Sequence, residues 1–168
     1  DSEHKPKIEL IKSKPLNNLY NIQYLGNVIE GVETNFINIQ IKDMINIAKK
    51  SLDNNKAIWF GCDVDKYIDN DNGLLDIENY DYKSMFDNIN NLDKGDRLDY
   101  CQSQITHAMI IKGYDKINSK ITKWLVENSW GDSNEIKGDL IMSNDWFKEY
   151  VYEVVIHKKY VPVSIMKI

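Results

Sequence analysis

The stretch from Ile105 to Trp130 constrains the fold more than any other part of the chain. Ile105, His107, Met109 and Ile111 fall on one side of an extended backbone, and Thr106, Ala108 and Ile110 on the other, because successive strand residues point to opposite faces. Trp124, Val126, Asn128 and Trp130 repeat the alternation after the polar connection "GYDKINSK". Two alternating runs joined this way read as a β-hairpin. A hairpin centred on Ile117 and Asn118 sets Ile111 opposite Trp124, Met109 opposite Val126, and His107 opposite Asn128. Directly opposed Cβ atoms stand about 4.5–5.5 Å apart, within reach of a side-chain hydrogen bond.

The flanking segments supply partners for this hairpin. "IQIKDMINIAKKSLDNN" puts Ile41, Met44, Ile45, Ala48 and Leu52 on one helical face. "KAIWFGCDV", "GDLIMS" and "YVYEVVIHKKY" are apolar runs of strand type. "NDWFKEY" reads as a short helix with Ser143 as its N-cap. "YDYKSMFDNINNL" and "KGDRLDYCQSQ" are further helix candidates, and "DKYIDNDNGLLD" is a loop by its Asp, Asn and Gly content. Residues 1–35, with Pro6, Pro15, Gly26 and Gly31, read as extended segments joined by loops. Trp59, Phe60, Trp124 and Trp146 are expected in the core. The sum is one α+β domain over residues 1–168, an antiparallel sheet with flanking helices.

A chain of 168 residues, 42% hydrophobic and 28% charged, has the size and composition of a folded domain. No apolar run approaches the roughly 18 residues that span a bilayer. A net charge of −5 gives no footprint for nucleic acid or anionic lipid. Two cysteines, Cys62 and Cys101, are too few for a disulfide scaffold and fit a reducing, cytoplasmic setting. The start, "DSEHKPKIEL", has neither an initiator Met nor a signal-peptide layout and reads as the middle of something longer.

A histidine next to an asparagine suits thiol catalysis. The imidazole takes the proton of a cysteine and the imidazolium stabilises the thiolate; an amide can orient the ring without adding charge. Trp130 is placed to cover the Asn–His bond and keep water from competing for it. On the pattern alone a second reading stands: His107 as a satisfied core histidine and "NSWG" as a strand-end turn. Neither cysteine present suits the nucleophile's role. Cys62 follows an apolar strand beside Asp63, whose charge raises a thiol pKa, and Cys101 lacks a following helix N-terminus to stabilise a thiolate. "IDNDNGLLDIEN" fails as a calcium loop, because with Gly73 in sixth position the first ligand falls on Ile68 and the twelfth on Asn79. His4, Cys62, Cys101, His107 and His157 show no paired zinc-ligand spacing, and His157 reads as a surface or edge residue.

"THAM", "KWLVENSWG" and "KGDLIMSNDWFKEYVYEVVIHKKY", preceded in order by "YLGNVIEG", "AIWFGCDV", "YDYKSMF" and "DRLDY", resemble the bleomycin hydrolase and aminopeptidase C family of papain-like cysteine peptidases. The likeness runs from about Leu16 to Pro162. It implies a papain-like α+β fold, here the C-terminal antiparallel-sheet half. It also implies His107 as catalytic histidine, Asn128 as its orienter, and Thr106 and Ala108 bordering the substrate cleft. Peptides would be substrates, cleaved from the amino end, and no cofactor is expected. Members of the family are intracellular and commonly hexameric, so a homo-oligomer is expected.

Two departures follow. The family's nucleophile lies in a Gln…Gly-x-Cys-Trp segment, and this chain contains none. The ending "KKYVPVSIMKI" also lacks the longer arm that favours free amino termini in the family. The expectation is a C-terminal part, inactive alone, with an apolar face for the missing N-terminal part or a partner chain carrying the cysteine. The alternative is a non-catalytic binding or scaffold protein derived from the peptidase.

Overall fold

The computed structural model describes residues 14–22, 30–31, 34–85, 92–131 and 138–166. Its centre is a seven-stranded sheet built on the hairpin of β6 (His107–Ile117) and β7 (Lys120–Glu127). β3 (Ile58–Cys62) pairs with the far edge of β6, and β9 (Val151–Val155) pairs with β3. On the other side β8 (Asp139–Ser143) pairs with β7, followed by the two-residue strands β5 (Leu74–Leu75) and β4 (Ile68–Asp69). All these pairings are antiparallel except β5 with β8, which is parallel. The loop expected between Asp65 and Asp76 therefore contributes two strand pairs. Strands of two residues carry no alternation to read.

The apolar faces expected from the sequence are the buried ones. Helix α1 (Ile41–Asp53) buries Ala48, and Ile41, Met44, Ile45 and Leu52 pack against the same core. Ile58, Phe60 and Cys62 of β3, Met109 and Ile111 of β6, and Trp124 and Val126 of β7 form its sheet side. Helix α4 (Asn144–Tyr150) adds Trp146 and Phe147, with Phe147 stacked on Trp124 at 4.8 Å between ring centroids. Ser143 caps α4 as expected, its hydroxyl accepting from the Trp146 N–H at 3.2 Å. Trp59 does not join the core: it is 38% exposed. Its neighbour Phe60 is fully buried, and adjacent strand residues cannot share a face.

Two more helices lie outside the sheet: α2 (Tyr82–Met85) and α3 (Lys94–Asp99). Of the first helix candidate, Tyr80, Asp81 and Leu92 are not helical, and residues 86–91 lie outside the described residues. Lys94 and Arg97 of α3 reach the C-terminal end of α4. The Lys94 ammonium donates to the carbonyls of Lys148 and Val151, and the Arg97 guanidinium to the Glu149 carbonyl and carboxylate. Cations satisfying the last carbonyls of a helix complement its dipole. Of the first 35 residues, β1 (Leu19–Asn21) pairs with β2 (Asn35–Ile37) in a separate two-stranded sheet. His4, Pro6 and Gly26 lie outside the described residues. His157 is not in a strand; its Nδ1 accepts from the Lys159 N–H at 3.2 Å and caps a 3-10 turn at Lys158–Tyr160. No described helix is long and apolar enough to cross a membrane.

Candidate active site

His107 opens β6, and Asn128 follows the last residue of β7. The hairpin brings them together, but in a different register from the one expected. Its turn is centred on Asn118 and Ser119, both left-handed at φ 49° and 65°, so Ile117 pairs with Lys120. Left-handed residues at both central positions match the strand twist, which the alternative centring on Ile117 would not. Two irregularities then offset each other: Thr122 is the extra residue on β7 and Lys112 the extra residue on β6. Near the site Ile111 pairs with Val126 and Ile110 with Glu127. His107 thus stands diagonally across from Asn128, and the reach of the two side chains closes the gap.

The contact itself is His107 Nε2 to Asn128 Oδ1 at 2.9 Å. The amide oxygen also accepts from the Ser129 N–H at 2.8 Å, which fixes which end of the amide faces the ring. Because Oδ1 only accepts, Nε2 is the nitrogen carrying hydrogen. In the neutral ring Nδ1 is then the bare acceptor. Among the described residues Nδ1 has no hydrogen-bond partner. The arrangement presents one imidazole nitrogen for proton transfer and anchors the other.

Trp130 stacks on the His107 ring with centroids 4.7 Å apart and planes 29° from parallel. It is 50% exposed, so it covers one face of the imidazole while its own outer face meets solvent. Gly131, at φ +85°, turns the chain away immediately after it, a conformation that favours glycine. Ala108 is half-buried beside Gly61 of β3, on the sheet face opposite to that of His107. Thr106 is exposed, yet its hydroxyl turns inward: it accepts from the Val64 N–H at 3.1 Å and approaches Asp63 Oδ1 at 3.4 Å.

Neither cysteine lies where His107 Nδ1 could serve it. Cys62 is paired with His107 across the sheet, but its thiol is buried in the core and points to the His107 carbonyl at 3.7 Å. Burial, reinforced by the Asp63 and Asp65 carboxylates, pushes that thiol up to about 12. Cys101 is exposed, left-handed at φ 55°, and follows α3 instead of preceding a helix. Among the described residues no group of three or more His, Cys, Asp or Glu side chains could hold a metal ion.

One set of side chains was not singled out from the sequence. Asp63, 3% exposed, accepts from the hydroxyl of Ser103, itself 3% exposed, at 2.6 Å. The Tyr152 hydroxyl donates to Ser103 Oγ at 2.6 Å. The only signal for this cluster is an acidic residue at the end of an apolar strand, which on its own looks like the start of a loop.

The profile of the Peptidase C1-like family matches residues 4–168. The chain is 38% identical over 154 residues to aminopeptidase C of Lactobacillus delbrueckii subsp. lactis, covering 92% of this chain and 34% of that one. It is 38% identical over 156 residues to human bleomycin hydrolase, covering 90% and 34% respectively. A crystal structure of pepw from Lactobacillus rhamnosis superposes with a TM-score of 0.87 at 40% identity, over 92% of this chain and 34% of that one. The chain spans about a third of the length of the curated relatives it matches. With a papain-like α+β fold and a match over nearly its whole length, the chain belongs to the Peptidase C1-like family.

Proposed function

We propose that this chain forms the histidine–asparagine wall of a Cys-His-Asn peptidase site that removes residues from the amino end of peptides. The observation that carries the reading is the 2.9 Å contact between His107 Nε2 and Asn128 Oδ1, which leaves Nδ1 open on the other side of the ring. The names of the relatives, aminopeptidase C and bleomycin hydrolase, support the same reaction class. The nucleophilic cysteine belongs to the N-terminal part of the protein, and the 168-residue chain alone is inactive.

In the assembled site Nδ1 takes the thiol proton, and the ion pair holds the cysteine as thiolate. The sulfur attacks the peptide carbonyl, forming a C–S bond. The imidazolium returns its proton to the leaving amine as the C–N bond breaks. Water then attacks the thioester while Nδ1 accepts its proton, and the cysteine is released. Asn128 stays bonded to Nε2 throughout and keeps the ring in one tautomer as its charge changes. Trp130, half exposed and stacked on His107, is part of the apolar face that the nucleophile-bearing part covers. Ile105, expected on the same face as His107, packs instead at Gly61 on the other side of the sheet. A cytoplasmic homo-oligomer, hexameric by family resemblance, completes the reading.

The test is labelling with an irreversible thiol-directed peptidase inhibitor, followed by intact mass measurement on protein from its native source. Label on a longer chain containing this sequence, or on a co-purifying chain, supports the proposal. Its loss in His107→Ala and its slowing in Asn128→Ala would tie the label to this site. An unlabelled chain without a partner would instead assign the fold to a non-catalytic binder.

A further inference from the structure

His107 is reached through Ser103, Gln104, Ile105 and Thr106, which lie in no helix or strand. No regular hydrogen-bond ladder sets their path, and Cys101 just before them is left-handed. The Ser103 N–H donates to the Arg97 carbonyl at 3.1 Å, and beyond such single backbone bonds one buried carboxylate ties the segment together. Asp63 Oδ2 accepts from Ser103 Oγ at 2.6 Å and from the Gln104 N–H at 3.4 Å, and Thr106 Oγ1 lies 3.4 Å from Oδ1. Three of the four approach residues converge on one side chain. The Asp63 N–H donates to the Tyr150 carbonyl at 3.1 Å, and the Thr106 N–H to the Cys62 carbonyl at 2.9 Å. The Tyr152 hydroxyl holds Ser103 from the far side. The carboxylate is thus fixed to the end of β3 and to the junction of α4 with β9.

No lysine or arginine pairs with Asp63 among the described residues. A buried carboxylate met only by hydroxyl and amide donors is a costly way to fill space, and an apolar side chain would do that better. Its three contacts all fall on the approach to His107. A shift of the chain at Thr106 would carry the imidazole off Asn128, and a misplacement of about 1 Å in a reacting group can lower a rate by about 100-fold.

We propose that Asp63 is a positioning residue for His107: by gathering Ser103, Gln104 and Thr106, it sets the point from which the imidazole leaves the backbone. Ser103 and Tyr152 are the outer members of the same device. The kinetic arm of the test rests on the peptidase reading above; the spectroscopic arm does not.

The experiment follows the His107 Nε2–H proton by NMR in the protein and in Asp63→Ala, Ser103→Ala and Tyr152→Phe, at a temperature where circular dichroism reports each folded. It is paired with kcat and KM for an aminoacyl reporter in the nucleophile-containing protein. The expected order of effect is Asp63→Ala, then Ser103→Ala, then Tyr152→Phe. In Asp63→Ala the hydrogen-bonded Nε2–H signal is lost, and kcat falls on the order of 100-fold with KM nearly unchanged. A merely structural role would lower the melting temperature and leave the signal and kcat of the folded fraction intact, and that result overturns the proposal. Should Asp63→Ala fail to fold, an unchanged signal in Ser103→Ala overturns it equally. If the parent protein hydrolyses nothing while the ring signal responds as stated, the peptidase reading fails and the positioning role stands.

Discussion

Gly61→Ala is a substitution whose sign the structure decides. Gly61 sits inside β3, paired with Ala108 on one side and Glu153 on the other. A methyl group there would stand 2.8 Å from both Cγ and Oε1 of Glu153 and 3.1 Å from Ile105 Cγ2. In an unobstructed strand, replacing Gly by Ala stabilises by about 0.4–1 kcal/mol, because the unfolded chain loses freedom. Overpacking opposes this with about 1–3 kcal/mol, and Cγ is too near the backbone to step aside without moving the whole Glu153 side chain. The expected net effect is a loss of about 0.5–2 kcal/mol. In a Glu153→Ala background both 2.8 Å contacts disappear, and the same substitution should gain up to about 0.5 kcal/mol. Urea unfolding of the four proteins of the cycle, followed by far-UV circular dichroism, measures the coupling directly. Equal effects of Gly61→Ala in the two backgrounds would refute the reasoning.

Three further outcomes are expected. Burial raises the Glu153 carboxyl pKa above its ordinary value, so the native state holds that proton more tightly than the unfolded chain. Its stabilising contribution is present at low pH and is lost as pH rises through the raised value. Glu153→Gln should therefore match the parent near pH 4 and exceed it at pH 7 in thermal melts; the reverse order would contradict the assignment. With its thiol near 12, Cys62 has a thiolate fraction on the order of 10⁻⁴ at pH 8. Iodoacetamide should leave one adduct on the native chain, at Cys101, and two in denaturant, as read by peptide mapping. Ser143→Ala removes the α4 cap and should cost about 1 kcal/mol, a fall of about 2–4 °C in melting temperature, while Ser143→Asp should restore most of it.

The meeting of His107 with Asn128 was legible because it depends on a coarse quantity, the spacing of two alternating runs about a polar turn. The register was not. "KINSK" offers two centres one residue apart, and the choice of Asn118–Ser119 rests on which residues tolerate positive φ. The contact survived the error because a long imidazole and an amide bridge a diagonal as well as a direct pairing. The amphipathic face of α1 and the Ser143 cap were read correctly, both being local signals. Trp59 was misplaced because an apolar run hides which parity faces inward. The Asp63 cluster showed in the sequence only as an acidic residue ending an apolar run: its partners lie 40 and more positions away and are joined only by the fold.

The hairpin that carries the site also carries its own remote end. From His107 to Ile117, β6 runs 11 residues, about 33 Å at strand rise. The tip at Asn118 and Ser119 is exposed, and Ile117 beside it is 60% accessible. The His107–Asn128 contact and the turn that sets the strand register thus sit at opposite ends of one ribbon. A fluorophore or short epitope inserted between Asn118 and Ser119 would ride on the same strands as the imidazole without entering its cleft. That makes the turn a natural attachment point for testing the proposed docking of a nucleophile-bearing part.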